Sequence, residues 1–170
     1  MDTAIVLFMH RLVFDFINKN IDKDGFLSLD EILDLQNFKN INICAHGFSH
    51  TSLSIYKDDM VMKNPIDGEY RDSPRGSKNL ISENEVKFQI NESKKDFDAK
   101  GIRTDIFIYP YGIYNNVTAG MVKDGKFSLA YTCDDGLDDY NKKIFTKPRF
   151  IINSNTNLDN LQKRIKHRIL

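Results

Sequence analysis

The chain has 170 residues, the size of one domain, with Lys plus Arg and Asp plus Glu balanced at 24 each. No global field therefore draws it to nucleic acid or to an anionic membrane surface. Apolar residues make up 41%, enough for a core, while two cysteines, Cys44 and Cys133, are too few for a disulfide framework and read as buried thiols.

The apolar run from Ala4 to Met9 is far too short to span a bilayer, so no transmembrane segment is expected. It lacks the basic flank and small-residue cleavage site of a secretory signal. The chain is thus expected to start as a cytosolic protein or as a mature or truncated domain. Leu12 to Ile17 reads as a buried strand or the end of a helix. NIDKDGFLSLDE, Asn20 to Glu31, then matches a calcium loop almost letter for letter, with Gly25 at the turn and Glu31 at its last position. Asn20 in place of Asp removes a charge, and no second loop accompanies it. The same letters also read as a turn at Asp24 and Gly25, followed by a capping box of Ser28 and Glu31. That box opens a helix with Ile32 and Leu35 on one face. Calcium binding through Asn20 to Glu31 is kept as an alternative.

Asn40 to His46 alternates like a strand. Residues 56–80 are polar, hold Pro65, Gly68, Pro74 and Gly76, and read as an inserted loop or excursion. Ser82 to Lys100 is a helix with a second capping box, Ser82 and Glu85. Val86, Ile90 and Phe97 lie on its inner face and Gly101 follows its end. TDIFIYPYG is a strand ending at Pro110, Val117 to Asp124 a helix closed by Gly125, and FSLAYT and RFII two further strands. Thr156 to Ile169 is a final helix with Leu158, Leu161, Ile165 and Ile169 turned inward. Strands followed by helices make an α/β domain over residues 1–170.

Three strands end in text that carries chemistry. In CAHGFSHTSL, His46 and His50 are four apart, a spacing that lets two imidazoles share one metal ion when the chain turns helically. The plain alternative is a pair of surface or hydrogen-bonded histidines. In FIYPYGIYNN, Tyr109, Pro110, Tyr111 and Gly112 form a rigid turn. With Tyr114, the rings suit the lining of a sugar-sized groove; core tyrosines are the plain alternative. In LAYTCDDGLDD, Asp134 and Asp135 are metal ligands or simply a turn before Gly136.

Taken together, these segments resemble the NodB-homology polysaccharide deacetylases. HGFSHTSL is similar to that family's second motif and FIYPYGIYN to its third. FSLAYTCDDG, KPRFII and TNLDNL resemble the end of the domain, and ISENEVKFQINESKKDF resembles the helix between the motifs. The resemblance runs in order from about Ile17 to about Ile165. It implies an irregular, incomplete (β/α) barrel and a hydrolase of carbon–nitrogen, non-peptide bonds. The reaction implied is metal-dependent removal of N-acetyl or O-acetyl groups from a carbohydrate polymer, with zinc as the expected cofactor and a bacterial cell envelope as the expected setting. His46 and His50 would be the metal pair, and Tyr109, Pro110, Tyr111, Gly112 and Tyr114 would meet the substrate.

The sequence departs from the family in four places. No Thr-Phe-Asp-Asp-Gly motif, which supplies a ligand Asp and a base Asp, precedes His46; the nearest string, VFDF around Asp15, has one acid and sits too close to the histidines. Gly47 stands where Thr or Ser is usual, Ile108 stands where Arg is frequent, and no late acid histidine can be assigned, His167 reading as a surface residue. TCDDG, Thr132 to Gly136, resembles the missing motif with Cys for Phe; a permuted order would make Asp134 or Asp135 the candidate catalytic carboxylate, while the flanking text fits the family's late strand. Two other classes stay open: a non-catalytic carbohydrate-binding module on the same fold, and the calcium-loop protein.

Overall fold

The computed structural model describes residues 5–9, 27–55, 61–63, 70–72, 80–134, 136, 144–152 and 156–166. Its centre is a parallel sheet of four strands in the order β1 (Ile5–Met9), β2 (Ile41–Ala45), β5 (Ile106–Ile108) and β6 (Leu129–Tyr131). Ile5 to Met9 pair with Ile41 to Ala45, Ala45 with Phe107, and Ile106 to Ile108 with Leu129 to Tyr131. A parallel sheet is covered on both faces. Accordingly Ile43, Cys44 and Ala45 are buried in succession, where the sequence alternation suggests one face in and one out. The AIVLFM run, read above only as too short for a membrane span, contains β1, the outermost of the described strands.

The helices are α1 (Leu29–Leu35), α2 (Glu83–Ala99), α3 (Asn116–Asp124) and α4 (Leu158–Lys166). The α1 start is the expected capping box: Glu31 N donates to Ser28 Oγ, and Ser28 N donates to Glu31 Oε2 at 2.6 Å. At α2 only half of the box forms. Ser82 Oγ accepts from Glu85 N, while the Glu85 carboxylate takes a side chain one turn on, Gln89. Val86, Ile90 and Phe97 are buried against β2, α3 and the sheet core, as their spacing predicts. Gly101, with φ +71°, supplies the left-handed residue that ends α2. Gly125 has an ordinary helical φ of −71°; a Cβ there would sit 2.6 Å from Ile90 Cγ2, so it is close packing that requires glycine.

Several expectations are revised. Val61–Lys63 (β3) and Tyr70–Asp72 (β4) pair antiparallel as a separate two-stranded sheet inside the 56–80 excursion. Residues Arg149 to Ile152 form no strand; the bridge to β6 is made earlier, by Lys147 to Tyr131. The α4 helix exists, but its apolar residues are not buried among the described residues, Leu158 being 69% exposed. Leu12 to Ile17, Asn20 to Phe26, Ile169 and His167 lie outside the described residues, and the described strands form an open run of four. Among the described residues no helix is long and apolar enough to cross a membrane.

Candidate functional site

The carboxyl ends of β2, β5 and β6 carry the three strings singled out above. In parallel sheets this edge is where backbone groups and loops converge on ligands. His46 is the first residue after β2 and is only 4% exposed. Its Nδ1 lies 2.9 Å from Ile108 O at the end of the neighbouring β5. A carbonyl can only accept, so Nδ1 carries the proton and the lone pair of the neutral ring is on Nε2, the tautomer suited to a metal. His50 packs on His46 with ring centroids 4.7 Å apart, and on Tyr111 at the same separation. Tyr111 Oη is 3.5 Å from His50 Nδ1, the outer limit of a hydrogen bond. The two imidazoles are thus brought together.

The backbone here is strained. His50 and Tyr111 have φ of 55° and 59°, a region that side-chain-bearing residues seldom adopt, and Gly47 and Gly112 flank them at 73° and 72°. Such conformations persist only where surrounding contacts impose them, and they concentrate at functional sites. Gly112 admits no side chain: a Cβ would lie 2.5 Å from Cys133 Cβ, which locks the Tyr-Pro-Tyr-Gly turn onto the end of β6.

The expected groove residues divide into two sets. Tyr111, Gly112 and Tyr114 are half-buried at the surface of the site. Tyr109 is fully buried, its hydroxyl donating to Phe145 O at 2.9 Å, and Pro110 is buried with it. As placed, these two shape the turn from beneath and present no face to a sugar. Burial pushes the Tyr109 hydroxyl pKa well up, with Tyr114 adding to the rise.

Asp134 lies at the end of β6. Tyr114 Oη and Thr132 Oγ1 each donate to its Oδ2 at 3.2 Å. Arg149 braces the same corner, its Nε donating to Thr132 O at 2.7 Å and its Nη2 lying 3.5 Å from Cys133 Sγ. Burial raises the Cys133 thiol pKa, against the opposing effect of Arg149. Asp135 lies outside the described residues. Among the described residues no group of three or more His, Cys, Asp or Glu side chains is arranged to hold a metal ion, so neither Asp134 nor Cys44 joins the histidine pair. Cys44 is a buried thiol in β2, its pKa pushed up to about 12 chiefly by desolvation. A cleft of about 330 Å³ between Lys94, Asp98, Arg103, Thr104 and Asp105 opens by the amino end of β5, the opposite end from the histidines.

Several solved structures share this fold. The deacetylase PplD of Streptococcus pyogenes, in complex with acetate, matches with a TM-score of 0.61 at 16% identity, over 88% of this chain and 54% of its own. A de-N-acetylase of Aggregatibacter actinomycetemcomitans matches at 0.58 and 15% identity, over 95% and 65% of the two chains. A polysaccharide deacetylase of Bacillus cereus matches at 0.60 and 16%, over 96% and 42%. This chain therefore has the fold of the NodB-type polysaccharide deacetylases. It spans less than two thirds of the length of each of these three structures. No protein-family model matches the sequence, and no curated protein matches it significantly.

Proposed function

We propose that this chain is a polysaccharide deacetylase-like domain, which removes acetyl groups from a carbohydrate polymer with a divalent metal, zinc, held by His46 and His50. The observation that supports the reading is the pairing of two imidazoles, one of fixed tautomer, at the carboxyl end of the sheet in a chain of this fold. Two neutral imidazoles are an apt half of a zinc ligand set. When bound, zinc supplies Lewis acidity toward the acetyl carbonyl and toward water. Ile108 O fixes the direction of the His46 ring and Tyr111 flanks the His50 ring, while Tyr111 and Tyr114, each partly exposed, are the rings available to a sugar. Hydrolysis also needs a carboxylate to take a proton from water. Asp134 is engaged by Tyr114 and Thr132, which leaves Asp135, beside it in sequence, as the candidate outside the described residues.

Acetate release from N-acetylglucosamine oligomers tests the activity. Zinc-dependent release that disappears in His46→Ala, in His50→Ala and with chelator is the expected result. The partly exposed Tyr111 ring beside the pair supports a second reading, a non-catalytic carbohydrate-binding module. That reading predicts no acetate, and oligosaccharide binding that survives chelator but is lost in Tyr111→Ala.

A further inference from the structure

Three residues, Gly47, Phe48 and Ser49, join the two histidines, and the loop they form has φ values of 73° at Gly47 and 55° at His50. Glycine takes such a φ freely, but His50 bears a side chain, and something must hold it there. Several of the ties come from one residue on α2, Gln89. Gln89 is 2% exposed, and both ends of its amide are in use. Its Oε1 accepts from Ser49 N at 2.9 Å, its Nε2 donates to Glu85 Oε1 at 2.9 Å, and Ser49 Oγ lies 2.9 Å from Nε2 and 3.1 Å from Oε1. The backbone carbonyl of the same residue accepts from Phe48 N at 3.0 Å. The partners dictate which way the amide faces: a backbone N–H only donates, and an ionised carboxylate only accepts. A Cβ at position 47 would sit 3.7 Å from Gln89 Oε1, so the glutamine also lies against the start of the loop.

We propose that Gln89 is the positioning residue of the histidine pair, holding the Gly47–Ser49 loop so that His46 and His50 converge on one metal ion. The inference rests on the metal reading above and assigns Gln89 no contact with substrate or metal. Its chemistry makes a specific demand. Position 89 must present an acceptor to Ser49 N, and positions 89 and 85 must pair one donor with one acceptor. Gln89→Met keeps the length and loses both functions. Gln89→Glu combined with Glu85→Gln exchanges donor and acceptor and restores both.

Zinc titration of the full chain by calorimetry, well below the melting transition, reads the effect. Gln89→Met is expected to weaken zinc binding by at least about 10-fold, the usual effect of losing an outer-shell partner, while the double swap returns it to near the parent value. Amide hydrogen exchange of the metal-free chain supplies a second readout. Ser49, whose N–H is held by the side-chain amide, should lose protection in Gln89→Met and regain it in the double swap, while Phe48, held by the main-chain carbonyl of residue 89, and strands β2 and β5 keep theirs. Parent-like zinc affinity in Gln89→Met, with His46-dependent binding in the parent, overturns the role of Gln89 alone. Failure of the double swap to restore affinity does the same, since it marks the loss as general damage. Absence of zinc binding in the parent, or binding indifferent to His46→Ala, overturns the metal reading and the positioning role with it.

Discussion

At the scale of single residues, the site is defined as much by backbone conformation as by side-chain chemistry. Gly112 is the clearest case, combining a φ of +72° with a Cβ position 2.5 Å from Cys133 Cβ and 2.9 Å from Cys133 N. Gly112→Ala should destabilise the chain by about 3 kcal/mol or more, adding overpacking to left-handed strain. Urea unfolding measures it, and a loss under about 1 kcal/mol would show that the turn yields easily. Cys44 gives a pH dependence. Its thiol stays protonated in the fold to about pH 12, against an ordinary pKa of 9.0 in the unfolded chain, so the unfolded state gives up its proton first. The stability contribution is complete below about pH 9 and falls above it, with a slope approaching about 1.4 kcal/mol per pH unit. The buried Tyr109 hydroxyl acts in the same direction but is common to parent and variant. Urea midpoints at neutral and at alkaline pH should therefore drop further for the parent than for Cys44→Ala; equal drops would contradict the buried-thiol account. That His46 and His50 come together was legible in the sequence from their four-residue spacing at the end of a strand. The left-handed backbone of His50 and Tyr111 was not, since neither residue type signals it; both are imposed by tertiary contacts. Tyr109, whose burial matches the core alternative of the two readings of these rings, was undecided in the sequence for a related reason. It continues the β5 path inward, and a ring at a strand end carries no mark of whether it faces groove or core.

At the scale of elements, caps were the most legible feature. Ser28 and Glu31 close the box that their spacing announces, and the same two residues belong to the calcium-loop string, so in this structure Glu31 is committed to the helix start. Ser28→Ala should cost about 1 kcal/mol, read as a lower urea midpoint with an unchanged slope. No change would mean that the α1 start is held by other contacts. The Ser82 box was half right. Its expected acid turned instead to Gln89, because a buried amide needs two partners more than an exposed helix start needs a second bond. Arg149 to Ile152 looked like a strand by composition, yet β6 is already bridged through Lys147. The α4 helix has the apolar periodicity expected of it, but periodicity states which residues share a face and not what covers that face.

At the scale of the whole molecule, the ordered motifs pointed to the deacetylase fold, and the parallel sheet with its solved relatives bears that out. Local order was readable because each strand ends in its own distinctive string; sheet order and the convergence of those ends are properties of packing alone. Zinc calorimetry on the parent chain, His46→Ala and His50→Ala tests the central claim most directly. The account predicts one zinc ion per chain in the parent and a loss of binding in both variants. Equal zinc uptake by all three would contradict it.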